Sequence, residues 1–248
     1  MSQLAVVLVE PAGPLNVGSV ARLCANFSAP GLSIALRLVA PRCDPRGVEA
    51  LRMAVHGKPV LEQATLHADL AAAVADCGVV LATSGRGEGD PLPVLDTQPA
   101  LAWLQQHWSG ERPAAVVFGR EDRGLSAAEL LQAGALLQIE TGPDYRSLNL
   151  SHAVALVLHG LHQQWRLPCP EPLSQQPLAP RSAIEAMLGD AEALLLDVGF
   201  LYPHTAAARM AKLRALLQRA GLQSDEVALL RGMVRQCRWA TGRDARTS

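Results

Sequence analysis

Short apolar runs rich in β-branched residues alternate with longer amphipathic stretches through the first two-thirds of the chain. The short runs predict strands at 4–9, 35–39, 59–66, 78–83, 114–118 and 135–139. The stretches between them predict helices at 16–27, 47–55, 69–76, 97–108, 126–133 and 149–165. Asp69, Asn16 and the Ser126–Glu129 capping box are the predicted helix starts. This alternation is typical of an α/β fold with a mostly parallel sheet.

The pattern changes after residue 165. Prolines 168, 170, 172, 177 and 180 stand among Ser and Gln, too densely for a helix or a central strand. Beyond them, apolar residues at spacings of three and four predict helices at 182–197, 204–219 and 223–239. We therefore divide the chain into an α/β domain at 1–165, a proline-rich linker at 166–182 and a small all-α domain at 183–248. So small a domain is expected to pack on a partner surface or contact a ligand.

Composition narrows the class of protein. The five cysteines lie far apart with no C-x-x-C pair, which argues against a disulfide framework and against a zinc site. The apolar run Leu4–Val9 has no Lys or Arg before it and stops at Glu10, so it is no signal-peptide core. No run approaches the roughly 20 apolar residues of a membrane span. We expect a soluble cytoplasmic protein without a metal.

Charge is unevenly distributed although the net charge is only −1. Residues 1–180 carry a formal charge of −4, whereas residues 181–248 carry +3. The difference indicates either a basic C-terminal face or scattered surface charge, and charge alone does not decide between them.

Polar residues and glycines collect in three segments where strands end, which is where open α/β sheets bind ligands. In Glu10–Arg22, Asn16 can cap a helix whose first amides suit an anion, and Arg22 could reach a phosphate or simply be solvated. In Val116–Ser126, Arg120 and Glu121 could face a ligand, pair with neighbours or meet a second subunit. In Ile139–His152, Ser147 and Asn149 either contribute to a site or are ordinary helix caps.

Together these segments resemble the three motifs of SPOUT methyltransferases, in the SpoU (TrmH) branch that methylates ribose 2′-hydroxyls in RNA. The matching strings run from Asn16 to Arg22, from Phe118 to Ser126 and from Ser147 to Ser151, and the resemblance covers roughly residues 3–165. Further strings at 38–45, 82–86 and 230–233 are similar to TrmJ-type tRNA methyltransferases. Two segments depart from that pattern: a longer connection at 27–35 and a glycine-rich loop at 85–90.

The resemblance implies a trefoil knot late in the catalytic domain, S-adenosylmethionine bent inside it, a homodimer, and a tRNA substrate methylated at position 32 of the anticodon loop. It implies Arg22, Ser147 and Asn16 as the catalytic group. The implied cofactor residues are Ala82, Thr83, Ser84, Gly119, Arg120, Glu121, Ile139, Ser147, Leu148 and Asn149. It also favours an RNA-binding face on the C-terminal domain, formed by Arg209, Lys212, Arg214, Arg231, Arg235 and Arg238.

Other functions remain open. The same chemistry could act on ribosomal RNA, since the motifs report ribose methylation and not the RNA itself. A non-catalytic RNA-binding or cofactor-sensing protein could use the same scaffold. A dinucleotide-dependent dehydrogenase is disfavoured because the first strand is not followed by G-x-G-x-x-G. His152, His159 and His162 share a helix without a carboxylate or cysteine at ligand spacing, so they are expected to be core or solvated residues.

Overall fold

The computed structural model describes residues 2–85, 92–142, 144, 147–165 and 178–244. Most of the predicted linker, at 166–177, and the loop at 86–90 lie outside these residues. The described residues form one seven-stranded sheet in which every strand pair is parallel. The predicted α/β fold class is therefore confirmed.

The strands are β1 (Ser2–Val9), β2 (Leu32–Val39), β3 (Thr65–His67), β4 (Val79–Thr83), β5 (Val94–Asp96), β6 (Ala114–Phe118) and β7 (Ala135–Gln138). Their order across the sheet is β3-β2-β1-β6-β4-β7-β5. The first helices are α1 (Pro14–Phe27), α2 (Val48–Ala54), α3 (Lys58–Glu62), α4 (Leu70–Ala73), α5 (Thr97–His107), α6 (Ala127–Leu130) and α7 (Leu150–Trp165), with a 3₁₀ turn at Val55–Gly57. The C-terminal helices are α8 (Arg181–Asp197), α9 (Pro203–Ala220) and α10 (Ser224–Asp244).

Both faces of the sheet are buried. Leu4, Val6 and Leu8 of β1 pack in one apolar cluster, whereas Ala5 and Val7 pack in another on the opposite face. Alternate residues of a strand point to opposite faces, so a strand covered on both sides is apolar throughout. This explains why the strands appear in the sequence as continuous apolar runs.

Three predictions about single elements were wrong. The strand predicted at 59–66 is instead α3 followed by β3, because Pro59 occupies the first turn of a helix. Strand β5 was not predicted. Asn16 does not cap α1, which begins two residues earlier with Gly13 as its N-cap and Pro14 in its first turn.

The other two predicted caps are confirmed. The carboxylate of Asp69 accepts a hydrogen bond from the amide of Ala72 at 2.8 Å. Ser126 and Glu129 form the reciprocal capping box at the start of α6. Helix starts were therefore predicted correctly where the capping side chain belongs to the N-cap residue of the same helix.

Helices α8–α10 have an apolar cluster of their own, centred on Ile184, Met187, Leu188 and Met210. They also contact the sheet domain, since the amide of Arg181 donates to the carbonyl of Cys77 and Ala215 packs in one of the sheet's clusters. The expectation that this unit packs on a partner surface is met by the sheet domain. Among the residues described, no helix is both long and apolar enough to cross a membrane.

Candidate active site

A cleft of about 510 Å³ opens where the carboxyl ends of β4, β6 and β7 meet. Parallel strands place their carboxyl ends at one edge of the sheet, so the loops that follow them gather there. The cleft is lined by residues after β4, around the β6 loop, at the end of β7 and at the start of α7: Thr83–Gly85, Phe118–Leu125, Leu130, Leu137–Ile139, Ser147, Leu148, Leu150 and Ala153.

Most of the predicted cofactor residues line this cleft. They are Thr83, Ser84, Gly119, Arg120, Glu121, Ile139, Ser147 and Leu148. Ala82 does not, because it is buried within β4 with 1% of its surface exposed. Asn149 is also absent from the lining and instead caps α7, where its side-chain oxygen accepts from the amide of Ser151 at 2.9 Å. The structure thus gathers two of the three predicted segments around one cavity.

The apolar wall of the cleft was missed. Leu125, Leu130, Leu137 and Leu150 contribute to it, and each is at least 95% buried. From sequence alone, leucines at strand and helix ends look like ordinary core residues. The sequence feature that could have identified them as cleft residues was their position beside polar motif residues at the strand ends.

Glycines give the β6 loop its shape. The amide of Arg120 donates to the carbonyl of Gly124, and the amide of Gly124 donates back to the carbonyl of Arg120 at 3.0 Å. A Cβ on Gly119 would lie 2.4 Å from the backbone of Gly124, and Gly124 itself has a positive φ of 67°. Any side chain at Gly119 would force this loop open, so the glycines keep backbone groups at the wall of the cleft.

A hydrogen-bonded chain joins the three motif segments. The carboxylate of Glu121 accepts from the amides of Ala12 and Gly13, and from the side-chain amide of Asn16 at 3.2 Å. Asn16 in turn accepts from the side-chain amide of Asn149 at 3.1 Å. Because a carboxylate only accepts, Glu121 fixes the orientation of both amides. Glu121 therefore holds the backbone just before α1, and Asn16 bridges the segments.

Arg120 is the centre of a second cluster. Its guanidinium donates to Glu129 at 2.8 and 2.9 Å and also to Glu10, while only 10% of its side chain is exposed. The hydrogen bond from Arg120 lowers the pKa of Glu10. Burial alone would raise the pKa of Glu129, but the bonds from Arg120 and the amide of Ser126 outweigh it and lower that pKa. Arg120 thus pairs with neighbours, one of the alternatives left open by its sequence.

Arg22 does not line the cleft of its own chain. It lies on α1, six residues after Asn16, which is about 9 Å further along the axis. Its side chain is exposed, and no hydrogen bond or ion pair of its guanidinium lies within the described residues. An arginine without a partner carboxylate keeps all its donors available for an anion.

Two glycines set the packing around Arg22. A Cβ on Gly18 would lie 2.1 Å from the carbonyl oxygen of Ala50, so α1 and α2 approach each other through the missing side chain. A Cβ on Gly57 would lie 2.6 Å from the Cα of Arg22. Immediately before Gly57, Val55 adopts a positive φ of 50°, which is rare for a β-branched residue. The backbone that carries Arg22 is therefore closely held.

The predicted basic face of the C-terminal helices is partly neutralised. Arg214 pairs with Glu185, Arg231 with Asp190 and Arg238 with Asp197. Arg209 instead donates to the carbonyl of Phe200. Lys212 and Arg235 have no ion pair within the described residues. The sequence could not distinguish the paired cations from the free ones, because their partners lie on other helices.

The three histidines of α7 form no metal site. His159 and His162 pack near the ring of Phe27, with centroids 6.4 and 5.7 Å away, and His152 is exposed. Within the described part of the chain, no group of three or more His, Cys, Asp or Glu could hold a metal ion.

Comparison with known proteins identifies the family to which this parallel sheet and its strand-end cleft belong. Residues 3–159 match the model of the SpoU rRNA methylase family. The chain belongs to the SpoU methylase family. Residues 182–247 match a second model, the C-terminal domain of the tRNA methyltransferase TrmJ.

Individual relatives match both parts of the chain. The tRNA (cytidine/uridine/adenosine-2′-O-)-methyltransferase TrmJ of Pseudomonas aeruginosa (strain UCBPP-PA14) is 31% identical over 94% of this chain and 93% of the relative. The crystal structure of TrmJ from Z. mobilis ZM4 has a TM-score of 0.79 at 32% identity and covers 94% of this chain and 97% of that one. A structure described as giving insights into 2-OH methylation of C/U34 on tRNA has a TM-score of 0.52 at 26% identity, covering 66% and 97%.

The protein is thus an RNA methyltransferase, and its cofactor is S-adenosylmethionine. The cleft fits this cofactor, because its leucine walls suit an adenine ring and polar residues such as Ser147 line the same cavity. When bound, the cofactor supplies an electrophilic methyl group. Of the residues predicted to bind it, Thr83, Ser84, Gly119 and Leu148 line the cleft.

Proposed function

We propose that the protein methylates the ribose 2′-hydroxyl of the nucleotide at position 32 in the anticodon loop of tRNA, as a cytoplasmic homodimer. The TrmJ relatives support the tRNA substrate and the 2′-hydroxyl. The observation that carries the proposal is the chain Glu121–Asn16–Asn149, which joins all three motif segments beside the cleft. Position 32 stays a prediction, and position 34 is the competing site.

Arg22 and Ser147 are the proposed catalytic residues. A ribose hydroxyl is weakly acidic, so it needs alignment with the methyl group and stabilisation of the charge that develops on its oxygen. Arg22 is no general base, because a guanidinium does not lose its proton in proteins. Its planar fork instead holds a phosphate and the developing alkoxide. Ser147, exposed on the cleft wall, orients the hydroxyl.

Asn16 is a positioning residue in this scheme. It precedes Arg22 on the same helix and is held by Glu121 and Asn149, so it fixes the start of α1 relative to the cleft. The group that acts on the substrate is then placed by a helix whose own position is set by the cofactor loop.

The homodimer explains why Arg22 stands away from the cleft of its own chain. Exposed apolar side chains lie on α1 (Leu15), α2 (Val48 and Met53) and α7 (Leu156), with exposed fractions of 51%, 83%, 37% and 47%. Apolar residues exposed on neighbouring helices favour a protein interface. A two-fold interface over α1 and α7 would carry Arg22 of one subunit to the cleft of the other.

The decisive experiment measures methyl transfer from labelled S-adenosylmethionine to tRNA isolated from a strain lacking the corresponding gene, followed by mapping of the modified nucleotide. We expect label at the 2′-oxygen of nucleotide 32. Arg22→Ala and Arg22→Lys should both lose most activity while retaining cofactor binding. Near-normal turnover in both variants would remove the proposed role of Arg22. Label confined to nucleotide 34 or to ribosomal RNA would replace the substrate.

A mixed-dimer experiment tests the contribution across the interface. Arg22→Ala and Ser147→Ala are each expected to be inactive alone. If Arg22 acts in the cleft of the partner, mixing them restores about a quarter to half of wild-type activity, because heterodimers contain one intact site. A fully active monomer, measured by sedimentation during turnover, would contradict the proposal.

A further inference from the structure

The turn between α8 and α9 exposes two aromatic side chains that are separated by one residue in the sequence. Phe200 is 60% exposed and Tyr202 is 54% exposed, whereas Leu201 between them is 2% exposed. Aromatic residues make up only 4% of the chain. The buried leucine anchors the turn in the helical cluster, and the two rings on either side of it face outward. Two large exposed rings on either side of one buried residue indicate a contact surface.

The turn is held in a fixed conformation. The amide of Leu201 donates to the carbonyl of Leu195 at 2.9 Å, and Gly199 adopts a positive φ of 74°. Arg209 donates to the carbonyl of Phe200 at 2.7 Å, and its guanidinium lies 5.6 Å from the centroid of the Phe200 ring. The Tyr202 ring is stacked with His204 at 6.0 Å. The rings are therefore presented in place before any ligand arrives, which lowers the entropic cost of binding.

A positive stripe continues from this turn along α9. The helix contains four cationic residues and no Asp or Glu. Arg209, Lys212 and Arg219 are exposed and share one face, because spacings of three and seven residues bring side chains together on a helix. Within the part of the chain that the structure describes, neither Lys212 nor Arg219 has an ion pair. The stripe spans about 15 Å.

We propose that the α8–α9 turn and this face of α9 form a binding site for unpaired RNA. Bases stack on Phe200 and Tyr202, while Arg209, Lys212 and Arg219 contact the backbone phosphates. Proteins bind single strands by this combination of aromatic platforms with a positively charged track. The charge of the stripe complements an RNA backbone, and the enzyme class makes RNA the ligand. The inference rests on the proposed function for the identity of the RNA, an anticodon arm whose loop bases are unstacked.

The test is binding of a single-stranded RNA of about 12 nucleotides that contains the adenine analogue 2-aminopurine, whose fluorescence is quenched by stacking. The full-length protein should quench it and bind it more tightly than a duplex of the same length. The double variant Phe200→Ala/Tyr202→Ala should abolish the quenching and weaken binding about tenfold or more. The double variant Phe200→Tyr/Tyr202→Phe keeps both rings and should bind normally.

Two controls separate stacking from general effects. Phe200→Leu/Tyr202→Leu keeps apolar area without a ring and should bind as weakly as the alanine variant. Leu229→Ala removes a side chain that is 66% exposed on α10 of the same helical unit and should leave RNA binding unchanged. Circular dichroism melting checks that each variant is folded.

The outcomes distinguish this site from the proposed function. If quenching depends on the two rings but no tRNA is methylated, the RNA-binding site is supported and the proposed tRNA methylation is rejected. Methyl transfer with unchanged RNA affinity in the alanine variant would do the reverse. If that variant instead dissociates a dimer and leaves RNA binding intact, the turn is a protein interface and the proposal is overturned.

Discussion

The sheet domain and the helical unit use their charged side chains in different ways. In the sheet domain, Arg120 is 10% exposed and shared between two carboxylates, and Arg37 is likewise 10% exposed beside Asp76. In the helical unit, the pairs of Arg231 and Arg238 are both more than a third exposed. Half-buried pairs shape a site because removing one partner leaves the other uncompensated, whereas exposed pairs are screened by water. The Arg120 cluster of the sheet domain is therefore expected to contribute more to stability than the pairs of Arg231 and Arg238 in the helical unit.

The largest expected effect follows from breaking the Arg120 cluster. Arg120→Ala removes the cation that pairs with Glu129 and leaves Glu10 paired with the exposed Arg123, so we expect a loss of about 3 kcal/mol in the free energy of unfolding, measured by urea titration. Arg123→Ala is the matched control, because Arg123 also contacts Glu10 but is 58% exposed. Its loss should be below about 1 kcal/mol. Equal losses in the two variants would remove the distinction between the regions.

Low pH should reduce the stability that the Arg120 cluster contributes. The pKa values of Glu10 and Glu129 are lowered in the folded protein, so their contribution to stability is present above the ordinary glutamate pKa and is lost as pH falls through the lowered values. The difference in unfolding free energy between wild type and Arg120→Ala should therefore shrink as the pH falls from 7 towards 3. A difference that stays constant over this range would show that the pairs are not the cause.

The hydrogen-bonded chain Glu121–Asn16–Asn149 allows a test of energetic coupling between residues of the sheet domain. In a double-mutant cycle, Asn16→Ala and Asn149→Ala should interact by about 1 kcal/mol in unfolding free energy, because each variant already removes their shared hydrogen bond. Asn26→Ala, an exposed asparagine further along α1, should be additive with Asn149→Ala. Additivity in both cycles would mean that Asn16 and Asn149 do not act together.

The smallest effect is expected in the helical unit. Arg231→Ala breaks an ion pair whose members are 44% and 36% exposed, so the loss of unfolding free energy should be below about 0.5 kcal/mol. Arg235→Ala, which removes an exposed arginine one turn further along α10, should give a similar value. A loss for Arg231→Ala near that of Arg120→Ala would place a half-buried network in this unit as well.

The elements that sequence predicted well are those whose cause is local. The capping box at Ser126 and the cap at Asp69 depend on residues three positions apart. Strand β5 is only three residues long and is held by pairing with β7, more than forty residues away, so no periodicity marks it. Pro59 was the local signal for α3, and the apolar run around it was interpreted as a strand instead.

The candidate site likewise has one part that the sequence predicted and another that only the structure showed. The motif strings located the cleft, because residues after neighbouring parallel strands must meet. Glu10, which pairs with Arg120, and Ala12, which donates to Glu121, lie about 110 positions away in the chain, so these contacts came only from the structure. Arg22 was expected either to reach a phosphate above the strand end or to be solvated, and it is exposed on α1, outside the lining of its own cleft.

The position of β6 has a consequence for synthesis on the ribosome. β6 is the middle strand of the sheet, between β1 and β4, yet it is made after both of them. Until it emerges, β1 keeps one edge open, and the amides of Ala12 and Gly13 before α1 lack the carboxylate of Glu121, which lies just beyond β6. Nascent chains that end before β6 therefore expose strand edges that recruit other chains. The central strand is the sixth of the seven to be made, and chaperone demand should peak just before it leaves the ribosome.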